Sequence, residues 1–453
     1  MAQINEAVAR YHKILQSDPY KDLLWLPPLR ERMEAEALSL GGRLLCPFLR
    51  PHFITRRQYD TLVKAGELLI SAVNRMQHLV LANPVLLNRL ELLPAEKMLA
   101  SIDPGYKALD VTCRLDLNVS NGSLHLTQYN SDSPTGVTWA DGLAEVFYGA
   151  PPVKEFRKKH SLSKITGKKY LLSALMSVWR QFHHSRNGRP RIAILEFRPG
   201  ATPVPSEYTR VRDFFIEEGY AAEVVTPDQL EFKGGILRRG PFVVDLVYRQ
   251  ITVQEFLQRF DLSHPLVQAY RSRAVCLVNS FRSELGHKKA FLGLLTDETL
   301  TSKFPAAERK AIREHVPWTR LVNTGKTTYQ EDVIDLQQFM LENRERLVLK
   351  PNDDHTEGSL FYGVDMDRSA WERAIKQAMR MPYVVQERVG PAKAVFPLER
   401  FGPLEFQELR VDLHLQAYLG RVHSCVSWLS SGSPGGFSAT SGMTPTFILE
   451  GAK

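Results

Sequence analysis

The chain has 453 residues, 43% hydrophobic and 24% charged, with a formal charge of +8. This is the composition of a globular chain of two or three domains, not of a disordered or fibrous one. No stretch approaches ~18 consecutive apolar residues, so no transmembrane helix is expected. Residues 1–8 lack the basic-then-apolar order of a signal peptide. The positive charge suits nucleotide phosphates, anionic substrates or nucleic acid, but no nucleic-acid-binding motif accompanies it, so nucleic acid is the weakest of the three.

In chain order, residues 4–17 and 57–79 are expected to be helical; Tyr59, Leu62, Val63, Ala65, Leu68, Leu69 and Val73 recur at helical spacing. Pro27-Pro28, Pro47, Pro51 and Pro84 break the stretches between and after them. Residues 113–130 read as a β-hairpin, with Asn121-Gly122 as the turn between two alternating runs. A two-residue loop pairs Ser120 with Ser123 and leaves Asp116 and Gln128 on opposite faces. A three-residue loop pairs Ser120 with Leu124, sets Asp116 opposite Gln128 and sets Arg114 opposite Asn130.

Helices follow near 137–148 and 168–184, and the polar stretch 183–190 is the expected domain boundary. Next come strand Ile192–Phe197, a helix opened by Ser206 and running to Gly219, and strands Tyr220–Val225 and Phe242–Tyr248. Strand–helix–strand with short links implies a right-handed βαβ unit and a small parallel sheet. The first strand is not followed by a glycine fingerprint, which excludes the usual dinucleotide site.

From about 285, helices are expected near 287–296, 306–314, 333–343 and 368–379. Strands are expected at Arg346–Lys350, Leu360–Val364, Tyr383–Val389, 410–418 and 422–429, and a polar loop at Pro351–Ser359. The four cysteines, Cys46, Cys113, Cys276 and Cys425, are scattered without metal-ligand spacing, which fits free thiols in a reducing cytoplasm.

Two stretches carry chemistry. In the hairpin, the Asp and Asn oxygens on a rigid strand pair suit a hard cation such as Mg²⁺ bound with a nucleotide phosphate; the alternative is a solvent-facing hairpin with an Asx-rich exit. In the last third, Lys350 ends an apolar strand, a polar loop follows, and a second strand ends in Gln386-Glu387. ATP needs a cation for its phosphates, a cover, and an edge for adenine, and these pieces come in a suitable order. Singly, each is matched by an ordinary strand end.

Leu349-Lys350-Pro351-Asn352-Asp353-Asp354 and Tyr383-Val-Val-Gln386-Glu387 resemble the nucleotide-binding lobe of ATP-grasp enzymes. The candidate metal residues precede that lobe, an order that resembles the circularly permuted ATP-grasp branch that includes glutathionylspermidine synthase. Arg114, Asp116 and Asn130-Ser-Asp-Ser-Pro134 fit that branch's motif, as do Asp245-Leu-Val-Tyr248-Arg249, Asn279-Ser-Phe-Arg282, Lys289 and Pro317-Trp318-Thr319.

The resemblance implies an α/β chain with a permuted ATP-grasp unit in two parts, 102–185 and 281–453. A small parallel-sheet domain, 186–280, lies between them, and a helical region, 1–101, precedes them. It implies ATP and Mg²⁺ as cofactors, with Asp116, Gln128 and Asn130 at the metal and Lys289, Lys350, Gln386, Glu387 and Val389 at the nucleotide. Arg114, Arg249 and Arg282 would act on the substrate or the transferring phosphate. Separately from the resemblance, Asp412 on a late strand reads either as a second acidic partner or as a strand-surface aspartate. The implied activity is cytoplasmic ligation of a small carboxylate to an amine through an acyl phosphate. Two features depart from the pattern: Gln128 stands where the branch has glutamate, and the cover loop has only Gly358 between Asp353 and Leu360. They keep open a nucleotide-binding protein without ligase activity.

Overall fold

Thr55 starts the longest helix, Arg56–Ala82, through a reciprocal cap in which its hydroxyl accepts from the Gln58 amide and the Gln58 side chain accepts from its own N–H. The buried stripe of this helix, Leu62, Ala65, Leu69, Val73, Met76 and Val80, repeats every three to four residues and lies on a large sheet. Gly66 permits the close approach, because a Cβ there would stand 3.2 Å from Val422 and 3.3 Å from Leu415.

The structure, a computed structural model, describes residues 2–120, 122–183, 188–197, 206–353, 359–399, 402–432 and 440–450. Asn121 of the expected turn, 184–187 of the expected boundary, Pro199-Gly200, the cover loop around Gly358 and the segment Pro434–Gly436 lie outside the described residues. Among the described residues no helix is long and apolar enough to cross a membrane.

The chain is mixed α/β, built on three main sheets. The largest runs in the order His52–Thr55, Gly442–Leu449, Arg421–Ser430, Leu404–Tyr418, Thr112–Ser120, Ser123–Asn130, with Leu162–Lys164 and Lys393–Glu399 attached to it. Its first pair is parallel and the remaining pairs are antiparallel. The strand at 52–55 thus ties the N-terminal helical region into the sheet through its parallel partner Gly442–Leu449. Leu115, Leu117, Leu413, Leu415 and Ala417 face the long helix. An antiparallel sheet usually shows its other face to water. Here that face carries Asp116, Asn118, Asp412, His414 and Gln416, and all five are buried.

The hairpin combines the two expected registers. Ser120 pairs with Ser123, so the loop has two residues, with Gly122 at φ 83°. The register then shifts between Asp116 and Leu117, and Thr127 is the extra residue of the bulge. Beyond it Asp116 stands opposite Gln128 and Arg114 opposite Asn130. The short loop alone would have sent Asp116 and Gln128 to opposite faces; the bulge restores the shared one.

The strand–helix–strand unit is a parallel pair, Ile192–Leu195 beside Ala222–Val225, joined by helix Glu207–Glu217. Leu246–Arg249 and Cys276–Val278 complete a four-stranded parallel sheet. The expected strand 242–248 is two strands. Phe242–Val243 joins a small antiparallel sheet, and the chain changes partner where the Asp245 carboxylate takes the Arg191 backbone and guanidinium.

The third sheet is ordered Thr319–Leu321, Tyr383–Glu387, Leu347–Pro351, Phe361–Tyr362. One face, Leu347, Leu349 and Val385, packs on Trp371, Ala374, Ile375 and Met340 of helices Arg368–Ala378 and Leu336–Glu342. The expected helix at 333–343 begins with a strand, Asp332–Asp335, because its first residues pair with Lys326–Tyr329.

Candidate functional site

Period-two alternation on paired strands builds the site. Arg114, Asp116 and Asn118 on one strand lie across from Gln416, His414 and Asp412 on the next. The Arg114 fork grips Asp116, Nε to Oδ1 at 2.7 Å and Nη2 to Oδ2 at 3.0 Å. Asn130 Nδ2 donates to Asp116 Oδ2 at 2.9 Å, Gln128 Nε2 donates to Asn130 Oδ1 at 2.7 Å, and His414 Nε2 stands 3.7 Å from Asp116 Oδ1. Burial pushes the Asp116 carboxyl up, but Arg114, His414 and Asn130 outweigh it and hold it below the usual carboxylate range. Farther along, Arg410 grips Asp412 in the same way, at 2.7 and 3.2 Å.

Lys350 arrives from the third sheet. It pairs with Val384, which puts Gln386 diagonally beside it on the same face, and Nζ donates to Gln386 Oε1 at 2.7 Å. Nζ also donates to the Thr127 carbonyl at 3.3 Å, and Thr127 Oγ1 in turn bonds the Asp116 carbonyl at 2.9 Å. The bulge residue therefore links Lys350 of the third sheet to the hairpin. Burial, with Lys289 and Arg410 nearby, lowers the Lys350 ammonium to about 7, against the opposing pull of Asp412 and Asp116.

Lys288 and Lys289 separate cleanly. Lys288 Nζ enters a buried acidic nest, reaching Glu96 at 2.9 Å, Glu284 at 2.8 Å and also Asp353. The three acids have the spacing of a cation site, and the ammonium fills that role. Lys289 lies buried at the start of helix Ala290–Leu295, where Asn352 accepts from the backbone N–H groups of Lys289 and Ala290. It is close enough to act on the charge of Lys350.

The remaining expected residues are elsewhere. Glu387 alternates to the other face of its strand and meets Tyr329 and Arg346. Val389 follows that strand, half-buried. Arg282 donates to the carbonyls of Ala100 and Ser101. Arg249 is fully buried, ion-paired to Asp132 at 2.5 Å and bonded to the carbonyls of Asn279, Ile251 and Ser280 and to the Ser283 hydroxyl. Arg410, His414, Thr127 and Asn352 are the residues that sequence reasoning gave no role. The alternation Arg410-x-Asp412-x-His414-x-Gln416 was the available signal for the first two.

A Mg²⁺ ion held by this corner needs anionic oxygens with free lone pairs. Both oxygens of Asp116 accept from Arg114, and one also from Asn130; both oxygens of Asp412 accept from Arg410. Gln128 brings an amide and no charge. A carboxylate offers about four acceptor sites, so Asp116 and Asp412 keep lone pairs beside their arginines, and these two with the amide oxygens of Asn130 and Gln128 are the groups that would hold Mg²⁺.

Under the hairpin, Gly286 abuts its support. A Cβ there would stand 2.7 Å from Gln77 Nε2, 3.0 Å from Ser131 Oγ and 3.2 Å from Tyr129 Cε1. Gln77 cannot easily give way, because Nε2 donates to the buried Asp110 carboxylate, which also accepts from Tyr129. Gly286→Ala is expected to cost about 1–3 kcal/mol of stability, read as a lowered denaturant midpoint; an unchanged midpoint would contradict this packing.

No protein-family model and no curated protein matches the chain. Among solved structures it is similar to a glutathione synthetase-like effector from Globodera pallida, with 13% identity and a TM-score of 0.58 over 94% of this chain and 96% of that one. A putative gamma-glutamylcysteine synthetase from Methylobacillus flagellatus KT matches at 9% identity and a TM-score of 0.41, over 86% of this chain and 87% of that one. The ATP-grasp ligase PsnB matches at 13% and 0.28, over 52% of this chain and 90% of that one. The first of these shows a shared fold.

Proposed function

We propose that the chain is an ATP-dependent carboxylate–amine ligase of the ATP-grasp type, in the permuted order. The observation that supports it most is the meeting of Lys350 with the hairpin, through the carbonyl of Thr127, whose hydroxyl bonds Asp116 of the Arg114–Asp116–Asn130 group. In this reading the parts 102–185 and 281–453 close around the nucleotide, and 186–280 is a small domain between them.

The substrate carboxylate attacks the γ-phosphorus of ATP, giving an acyl phosphate and ADP. The amine then attacks the acyl carbon, inorganic phosphate leaves, and the amine loses a proton as the amide forms. This chain's part is to bind, orient and neutralise: Lys350 and Lys289 at the phosphate chain, Arg114 at the phosphoryl group in flight. No covalent nucleophile is required. Magnesium, where present, lowers the charge on the phosphates.

Gln128 and the arginine-held carboxylates favour a second reading, a nucleotide-binding protein that does not ligate. Incubation with ATP and pooled amino acids and polyamines separates the two. The ligase reading expects release of ADP and phosphate that depends on a carboxylate–amine pair; ATP binding with no turnover by any pair leaves the second reading.

A further inference from the structure

We infer that Asn279 is a positioning residue for the candidate site: its carboxamide fastens both legs of the hairpin at their open end and so sets where Arg114 and Asn130 stand. The inference rests on the nucleotide reading above and adds to it a residue that lies outside the face itself.

Asn279 follows strand Cys276–Val278 of the parallel sheet and is 1% exposed. Its Oδ1 accepts from the backbone N–H groups of Val111 at 3.0 Å and Thr112 at 3.1 Å. Its Nδ2 donates to the carbonyls of Thr112 at 2.7 Å and Ser131 at 2.5 Å, and to the Thr112 hydroxyl at 3.2 Å. These partners fix the orientation of the amide, because a flip would set donor against donor and acceptor against acceptor. Thr112 opens the first strand of the hairpin, and Ser131 directly follows the second. At this end the ladder stops at Arg114 opposite Asn130. Two residues on, Thr112 would face Asp132 in the next hydrogen-bonded rung. The Asn279 carboxamide takes the place of that rung, bonding the Thr112 N–H and C=O as a partner strand would. The exit turn is thereby free to leave the sheet. The Ser131 hydroxyl bonds the Ser283 carbonyl at 2.8 Å, and Asp132 meets Arg249. Val111, Thr112 and Ser131 are all buried, so losing the amide leaves their backbone groups unpaired. Arg114 lies two residues from Thr112, and Asn130 is next to Ser131. The spacing that the amide imposes is therefore passed to this pair, and with it to the bond from Asn130 Nδ2 to Asp116 Oδ2 at 2.9 Å.

The test is calorimetric titration of the intact chain with Mg-ATP, for the wild type, Asn279→Asp and Asn279→Ala, each well below its own melting midpoint. Asn279→Asp keeps the accepting oxygen but turns the donor into a second acceptor, which repels the Thr112 and Ser131 carbonyls. The inference expects the folded variants to bind ATP about tenfold or more weakly. It also expects Asn279→Asp with Asn130→Ala to cost little more than either alone, because one acts through the other. Coupling is reciprocal, so saturating ATP should slow amide exchange at Val111 and Thr112 of the wild type about tenfold. That measurement decides the matter if neither variant folds. A folded variant that is less stable yet binds ATP within about threefold of the wild type overturns the inference and leaves the nucleotide reading standing. Amide exchange at both positions that ATP does not slow does the same. No ATP binding by the wild-type chain overturns the nucleotide reading and the inference with it.

Discussion

Lys350→Met is expected to lower affinity for ATP about 30- to 100-fold, the loss of a charge-assisted contact of roughly 2–3 kcal/mol in a partly desolvated site. The same substitution should change how stability follows pH. The Lys350 ammonium falls from its ordinary 10.5 to about 7 in the folded chain. Between those values the unfolded chain holds more protons, so stability rises with pH there. The burden of this lysine is therefore largest at and below about pH 7 and disappears above its ordinary value. Removing it should favour the variant most near pH 7, with the gap between variant and wild-type melting temperatures shrinking towards pH 10. The slope is at most about 1.4 kcal/mol per pH unit, and less here because the residue keeps some exposure. A gap independent of pH would mean that Lys350 is charged throughout the range, and unchanged ATP affinity would remove it from the site.

Arg249→Met is expected to cost about 3–5 kcal/mol of stability, because it leaves the Asp132 carboxylate buried without its cation. Both side chains are 0% exposed. Asp132 would keep the Val253 N–H at 2.6 Å and the Ser283 hydroxyl at 3.3 Å, which cannot neutralise it. The double variant Arg249→Met/Asp132→Asn should recover part of the loss, since the pair is then removed together. Thermal and denaturant midpoints check this. A single variant that folds with wild-type stability and loses only turnover would instead place Arg249 on the substrate, as the resemblance implies.

The hairpin was legible from Asn121-Gly122 and its flanking alternation, but its register was not. The bulge at Thr127 leaves no local mark; it shows only in the register of the folded pair, where Lys350 bonds its carbonyl. Gln386 and Glu387 read as one polar strand end, yet period-two alternation alone sends them to opposite faces, and the structure does so. The polar face of the large sheet was legible as Arg410-x-Asp412-x-His414-x-Gln416, but alternation does not say whether such a face meets water or a covering sheet. Asp132 and Arg249 are far apart in sequence, so their pairing could not be read from either stretch. The same holds for His52–Thr55 beside Gly442–Leu449, a parallel pair far apart in sequence.

The central claim, that Lys350 and the hairpin form one phosphate-binding face, is tested most directly by titrating the intact chain with ATP in a calorimeter and repeating the titration with tripolyphosphate present. The account predicts one saturable ATP site per chain, displaced by tripolyphosphate. Saturable ATP binding that tripolyphosphate does not displace, or no saturable binding at millimolar ATP, would contradict it.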